Sequence, residues 1–376
     1  MAEHQVSYAR TEEQDLIAST ARQFLEEHAG LERVREVMMS DDGFDRGLWK
    51  QMADLGWMGL AIDEGNGGAG LGPPEVGVLL EEMGRLVTPG PFFASAILAT
   101  TAIQEIGTET AQATLLPELA TGDAIATLAL FEEPRGWDVA TPATKATRSG
   151  DDWVLEGGKR SVLDGHVADK VLVSASTDSG VGLFVVDTSA DGVSVTQEPA
   201  LDATRRQAAV TLDAVRVGPE SRLDDDGAEE GLERTIRLAS VALAAEQVGG
   251  AQQCMDMSVE YAKSRYQFGR PIGSYQAVKH RCANMLMRVE HARSATYYAA
   301  RVTDDDEELG VAAPLALSVA SDAYVWVAGE NIQVHGGIGF TWEHDAHIYL
   351  KRAKASSLMA GPPRHQRDQL GRALGI

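Results

Sequence analysis

Apolar residues recur at helical spacing in the first third of the chain, at strand spacing in the middle, and at helical spacing again to the end. In residues 11 to about 122, "EEQDLIASTARQFLEEH" places Leu16, Ile17, Ala21, Phe24 and Leu25 on one stripe, and "EVGVLLEEMGRLV" repeats the pattern. The intervening "DEGNGGAGLGPP" (63–74) is too glycine-dense for helix or strand. It follows no buried strand and lacks the Lys-Ser/Thr ending of a phosphate-binding loop, so it reads as a turn. From about 124 to 217, "DWVLEGGKRSVLDG", "KVLVSAST", "GVGLFVVD" and "GVSVTQEP" are short Val/Leu-rich runs broken by Gly and Asp. No helix of useful length interrupts them, which predicts an antiparallel barrel or sandwich. Helical segments then return near 232–266, 275–303, 312–335 and 348–357, the number and length of an antiparallel four-helix bundle. The expected fold class is α+β: an N-terminal α-helical domain (1–122), a middle antiparallel β-barrel domain (123–228) and a C-terminal four-helix bundle domain (229–376).

A chain of 376 residues is long enough for two or three packed units. A net charge of −23 argues against nucleic acid as a partner. The acidic runs "DDDGAEE" (224–230) and "DDDEE" (304–308) read as solvated loop faces, with a docking patch for a basic partner as the alternative. Two cysteines, Cys254 and Cys282, form no disulfide framework, in keeping with a reducing cytosol. No signal-peptide pattern opens the sequence, and no run of ~18 apolar residues stands out as a membrane span. These features predict a cytoplasmic protein that does not enter a membrane.

The stretch "SVALAAEQVGGAQ" (240–252) carries a single charge, Glu246, on a helix that reads as buried. Ionised carboxylates lose several kcal/mol on leaving water, so a buried glutamate needs a partner or a task. Its neighbours on the same face, Ala239, Ala242, Leu243, Gly249 and Gly250, are mostly small and leave room for a cofactor or substrate. A carboxyl group in an apolar pocket suits general-base catalysis near neutral pH. The other reading is a structural acid paired with Arg281 or Lys279. His335 and His365 read as packing or backbone-satisfying residues before they read as catalysts. "EHDAH" (343–347) lacks further ligands at supporting spacing, so no metal is expected.

Two C-terminal stretches, "SRYQFGRPIGSYQAVKH" (264–280) and "QVHGGIGF" (333–340), closely resemble acyl-CoA dehydrogenases. The resemblance extends over nearly the whole chain through "LWKQMADLGWMGLAI", "PGPFFASAILAT" and "GDDWVLEGGK". It implies FAD, an acyl-CoA substrate and usually a tetramer. The implied reaction removes a proton beside the thioester while hydride leaves the next carbon for the flavin, with electrons passing to an electron-transferring flavoprotein. By the same resemblance Arg265, Gln267 and Phe268 contact FAD across a subunit interface, joined by Gln333, Gly336 and Gly337. Arginine offers a planar fork for pyrophosphate, phenylalanine an apolar face, and the glycine pair permits close backbone approach.

The chain departs from the family pattern in two places. A Thr-Glu-Pro loop and a Lys-x-Trp-Ile-Thr strand usually face the flavin ring; here they read "LFEEPRGWD" and "KRSVLDG", with Ser161 and Leu163 replacing Trp and Thr. The two customary positions of the catalytic glutamate correspond to Ala360 and Ala239. Glu246 lies seven residues beyond Ala239, about 10 Å along the helix. The pattern resembles subunits of heterotetrameric bacterial sterol side-chain dehydrogenases, in which one of two unlike homologous subunits carries the base. The alternatives are a degenerate homologue serving as scaffold or regulator, and a homotetramer using Glu246 as a displaced base.

Overall fold

The computed structural model describes residues 9–133, 139–225 and 227–376. In chain order the elements begin with α1 (Glu12–His28), α2 (Leu31–Met39), α3 (Arg46–Asp54) and α4 (Pro73–Arg85). A π-helical segment (Phe93–Ala99) then runs directly into α5 (Thr100–Ile106), followed by α6 (Glu109–Ala120). The strands are β1 (Ala126–Ala129), β2 (Lys145–Ser149), β3 (Asp152–Leu163), β4 (Lys170–Thr177), β5 (Gly180–Asp187), β6 (Val193–Glu198) and β7 (Gln207–Val217). After α7 (Glu229–Ser264) comes a two-stranded ribbon of β8 (Tyr266–Gln267) and β9 (Arg270–Pro271). The last helices are α8 (Gln276–Arg301), α9 (Asp306–His335), α10 (Ala346–Ser356) and α11 (Pro363–Ala373).

Helix starts follow from capping chemistry. Thr11 and Gln14 form a reciprocal capping box on α1, and Asp45 and Thr108 cap α3 and α6. The run at 304–308 is not the loop face expected of it. Asp305 accepts the backbone N–H groups of Glu307 and Glu308, and Asp306, Glu307 and Glu308 form the first turn of α9. Carboxylates there are favoured by the helix dipole.

The chain divides into two compact units. One comprises Glu36–Gly72 and Pro89–Ala239. Its seven-stranded sheet has the order β1-β4-β2-β3-β7-β6, with β5 paired to β4. Most pairs are antiparallel as the sequence predicts, but β1 runs parallel to β4, Ala126 opposite Lys170 through Ala129 opposite Val173. The β2–β3 hairpin lies between β1 and β4 in sequence, and this crossover allows the parallel pairing. Strands β4 and β5 are buried on both faces. Val171, Val173, Phe184 and Val186 enter one core with Trp153, Leu155, Val210 and Val215. Leu172, Val181 and Leu183 enter another with Ile103, Leu116 and Leu119 of α5 and α6. Two covered faces explain why these strands read as continuous apolar runs and not as alternation.

The other unit comprises Met1–Arg35, Pro73–Thr88 and Ser240–Ile376. Its central helix, α9, corrects one expectation. An 18-residue window within Asp306–Phe340 has mean hydropathy 1.5, long and apolar enough to cross a membrane by composition, yet 67% of it is buried inside the protein. Helices α8, α10 and α11 pack on it, as a core helix requires. Helix α4 is buried on nearly every side, including both acids of its "EE" pair. Glu81 accepts from Arg10 (3.0 Å), Tyr297 Oη (2.8 Å) and Arg293 (3.1 Å), and Glu82 receives a two-pronged contact from Arg22 (2.9 and 2.7 Å). Burial and the adjacent Glu81 push the Tyr297 hydroxyl up to about 12.

Helices α4 and α7 touch backbone to backbone. A Cβ on Gly84 would stand 2.0 Å from the Glu246 carbonyl oxygen, and one on Gly249 would stand 1.8 Å from that of Glu81. Across the helix, a Cβ on Gly250 would meet the Tyr324 ring at 2.4 Å. These glycines are required by closeness and not by φ. Gly249→Ala should therefore destabilise the fold by about 3 kcal/mol or more, the scale of overpacking into fixed backbone. Gly310→Ala, with nothing within 4 Å of its added Cβ in α9, should instead stabilise by about 0.5–1 kcal/mol. Urea unfolding of both variants checks the contrast, and equal effects would remove the close-contact account.

Candidate functional site

Two pieces of exposed backbone leave the same end of the helical unit. The Tyr261 ring of α7 and the His335 ring closing α9 lie 4.3 Å apart, and Ser258 Oγ donates to Asn331 Oδ1 one turn earlier. Beyond Tyr261 the chain exposes Arg265 and enters the β8–β9 ribbon, whose two turn residues, Phe268 (φ 54°) and Gly269 (φ 80°), are both left-handed. Glycine adopts such a turn freely, whereas phenylalanine there is strained by roughly 1–3 kcal/mol. Phe268 is nonetheless 92% exposed, so no packing in the chain itself accounts for the strain. Gln267 is exposed on β8, and its carbonyl accepts from Tyr275 Oη (3.1 Å).

Beyond His335 the chain makes a short 3-10 turn, Gly336–Phe340. Gly336 (φ 65°) and Gly337 are exposed, and a Cβ on either would meet nothing within 4 Å. The pair therefore leaves an open bed of backbone beside the exposed Gln333. Ile338, Phe340 (81% exposed), Trp342, Tyr266 and Phe268 add apolar surface near this end. Clusters of large exposed apolar side chains mark surfaces that are covered by something else. Of the six residues expected at a cofactor, Gln267 and Phe268 lie in the ribbon and Arg265 directly before it, while Gly336 and Gly337 lie in the turn and Gln333 in the last turn of α9.

Glu246 lies elsewhere in the helical unit, and it has a cationic partner there. The carboxylate is buried, and Arg352 Nη1 of α10 donates to its Oε1 at 2.9 Å. Arg352 Nη2 also reaches the carbonyls of Val87 (3.4 Å) and Thr88 (3.3 Å), just beyond the end of α4. Arginine stays protonated at any accessible pH, and a bound guanidinium occupies the lone pairs a base would offer. Two of the small neighbours of Glu246 are used by the fold, since α4 backbone lies against Gly249 and the Tyr324 ring against Gly250. Neither cation expected as partner serves: Arg281 donates to Glu330, and Lys279 is exposed. The customary base positions hold no acid: Ala239 is buried, and Ala360 is half-buried with its carbonyl accepting from Gln366.

In the β-rich unit, the elements expected to face a flavin ring are satisfied internally. Of "LFEEPRGWD", residues 134–138 lie outside the described residues. Glu132 is buried and accepts from Lys159 Nζ (2.6 Å), Thr144 Oγ1 (2.7 Å), Thr144 N (3.0 Å) and Ala143 N. Burial would raise its carboxyl, but these donors outweigh burial and hold it at about 2. Strand β3 shifts register against β7 between Lys159 and Val162, leaving Ser161 at φ 52°. The Ser161 N–H donates to Glu198 Oε2 (2.7 Å), and Arg160 pairs with Glu198 Oε1 (2.6 Å). Leu163 is buried.

Sequence reasoning missed Arg352, Glu198 and the Glu132–Lys159 pair. Each partner is 27 to 106 residues away along the chain, and no local pattern announces it.

Comparison with known proteins follows this geometry. Sequence models described as the N-terminal, middle and C-terminal domains of acyl-CoA dehydrogenase match residues 11–123, 127–215 and 231–375. The chain is 34% identical over 361 residues to "Acyl-CoA dehydrogenase IpdE2" of Mycolicibacterium smegmatis, covering 96% of this chain and 98% of that one. A variant of the Tcur3481–Tcur3483 steroid ACAD is similar in structure, with TM-score 0.88, 35% identity, and coverage of 97% and 98%. So is the ChsE4–ChsE5 complex from Mycobacterium tuberculosis, with TM-score 0.91, 29% identity, and coverage of 98% and 99%.

The Glu132 pair yields a pH prediction. Its folded carboxyl lies below the ordinary value of 4.5, so the unfolded chain takes up the proton first as pH falls. The stability it contributes is complete above about 4.5 and is lost as pH falls toward about 2. Glu132→Gln should cost about 3–5 kcal/mol near neutral pH by leaving Lys159 buried without its counter-charge. It should also flatten the acid limb between those pH values. Chemical denaturation at pH 7, 4.5 and 3 measures both, and an unchanged acid limb would contradict the assignment.

Proposed function

This chain belongs to the acyl-CoA dehydrogenase family, and from that premise we propose that it is one subunit of a heteromeric FAD-dependent dehydrogenase of steroid-type acyl-CoA thioesters. One observation supports the reading: among the described residues both customary base positions hold alanine, while Arg265, Gln267, Phe268 and the Gly336–Gly337 pair stand exposed. The nucleotide end fits the cofactor. Arg265 and Gln267 supply exposed donors, Phe268 an apolar face held in strain, and Gly336–Gly337 a bed that any Cβ would fill. The ring end does not fit, because Glu132 and Ser161 N already have partners within the chain and Leu163 offers no hydroxyl.

Bound FAD supplies the hydride acceptor for dehydrogenation of the acyl thioester. This chain's residues then have a holding role. The Arg265 guanidinium would neutralise and orient pyrophosphate, and Phe268 would exclude water from the cofactor's flank. Removal of the proton beside the thioester falls to a base on the homologous partner, since Ala239 and Ala360 abstract nothing. Glu246 serves the fold through Arg352, which disfavours a homotetramer using it as base. The Tcur3481–Tcur3483 steroid ACAD and the ChsE4–ChsE5 complex each pair two components, and the first is a steroid enzyme, in support of an unlike partner and a bulky acyl chain. The same proposal makes the assembly a cytoplasmic tetramer that passes electrons to an electron-transferring flavoprotein. It divides the chain at 1–122, 123–228 and 229–376, in keeping with the three matched ranges.

Co-purification with a homologous subunit, followed by flavin absorbance and anaerobic turnover of a steroid side-chain thioester, tests the proposal. The chain alone should show no substantial turnover, and the pair should be yellow and active. Arg265→Ala and Gly337→Val should each lower bound flavin in the pair at least tenfold, as loss of a charge-assisted contact or closure of the glycine bed requires. Rapid turnover by the lone chain would defeat the subunit reading, and undiminished flavin in both variants would remove the nucleotide assignment.

A further inference from the structure

The Gly336–Phe340 turn rests on a stack of rings that the proposed reaction does not use. His335, at its root, lies between Tyr261 of α7 (4.3 Å) and His344 (4.3 Å), which stands between the turn and α10. Of the hydrogen bonds these imidazoles make, the one accepted by His344 requires a neutral ring. His335 Nδ1 lies 2.8 Å from the Asn331 carbonyl and can only donate to it. His344 Nδ1 accepts from the Ala346 backbone N–H (3.1 Å), acting as a cap on the first turn of α10. His347 Nε2 lies 3.2 Å from the Trp342 carbonyl, its ring is stacked on that indole, and its Nδ1 is buried with no hydrogen-bond partner among the described residues.

We propose that His344 is a positioning residue: through His335 it holds the Gly336–Gly337 turn in its binding shape, and it releases that turn in mild acid. A proton on His344 Nδ1 destroys the acceptor that caps Ala346 and sets N–H against N–H. It also places a cation at the start of α10, where the helix dipole disfavours it. A protonated His347 would add a buried donor without an acceptor. The surrounding charges work in the same direction, with one group opposing. Arg35 of α2 donates to Asp345 (2.7 Å) and to the Trp342 carbonyl (2.8 Å), and Lys351 of α10 stands 5.0 Å over the Trp342 ring. Asp345 favours the charged imidazole, but Arg35 already holds it. Glu343 is exposed, and Tyr261 and Asn331 face His335 from α7 and α9 without charge.

Burial, reinforced by neighbouring cations and by one another, holds all three histidines below the ordinary 6.5. An opened segment therefore binds protons before the closed one does. The contribution of the stack is complete above about 6.5 and is lost as pH falls through the folded values. Local opening of the turn, without global unfolding, is the expected response.

The effect on cofactor rests on the reading that the turn carries the flavin nucleotide, so the test separates the two. Hydrogen–deuterium exchange of the peptide spanning 336–346 is followed in the full chain at pH 7.5 and 5.5, corrected for intrinsic exchange. Protection should fall about tenfold or more in the wild type, the scale of one linked proton per pH unit. His344→Asn keeps an acceptor for Ala346 N–H and cannot titrate, so its protection should be near wild type at pH 7.5 and fall clearly less in acid, by what His335 and His347 still contribute. His344→Ala should be poorly protected at both pH values. Equal wild-type protection at the two pH values, or the same acid loss in His344→Asn, would overturn the proposal. In the assembled protein, FAD fluorescence reports release of cofactor over the same range. Acid opening with flavin fully retained would uphold the role of His344 in the turn and refute both its release of cofactor and the nucleotide reading.

Discussion

The buried ion pair between Glu246 and Arg352 is the contact on which the helical unit depends. It joins α7 to α10, and through the Arg352 bonds to the Val87 and Thr88 carbonyls it also fastens the end of α4. Val87 is a β-branched residue at φ 45°, a conformation that persists only where its surroundings enforce it. The guanidinium and the Thr88 bonds to the Met83 carbonyl provide that enforcement. Such a pair contributes little net energy relative to an apolar substitute, because both ions lose their hydration. Its effect is on specificity: removing either partner leaves a buried charge, so helix arrangements that separate them are excluded. The glycine contacts between α4 and α7 depend on the same registry, since a shift of one turn would bring side chains where only backbone fits.

The two units handle strained backbone in opposite ways, and the contrast bears on function. In the β-rich unit, Ser161 at positive φ is held by Glu198, and the nearby Glu132 carboxylate is saturated by four donor atoms. Groups so fully engaged have little left for a ligand. In the helical unit, Phe268 is strained and almost wholly exposed, and Gly336–Gly337 faces open space. Strain with no internal compensation is the kind that a bound partner can account for. On the proposed reading, the chain retains the holding half of its family's chemistry and engages the residues of the other half with its own carboxylates.

Histidines, at first sight isolated polar residues in an apolar segment, turn out to connect that holding surface to α10. His335, His344 and Tyr261 form one stack because α7 and α9 end side by side. The Gly336–Phe340 turn is thus flanked by a ring stack as well as held by its own short hydrogen-bonded loop.

What the sequence determined by itself was the order of helix, strand and helix, the extent of the long helices, and the place of the glycine pair after one of them. These are local properties, set by periodicity, by Thr and Asp caps, and by glycines at fixed spacing. The empty base positions at Ala239 and Ala360 were legible for the same reason: an absent carboxylate is a fact of composition. Tertiary structure alone decided what the small residues around Glu246 are for. A glycine on a helix is equally compatible with a ligand and with a crossing backbone, and only the approach of α4 distinguished them. It likewise decided the cation for Glu246, since the nearest basic residues in sequence, Arg237 and Lys263, lie on α7 itself while the partner lies on α10, 106 residues on. Pairing between charges depends on where elements meet, and a linear pattern carries no record of that.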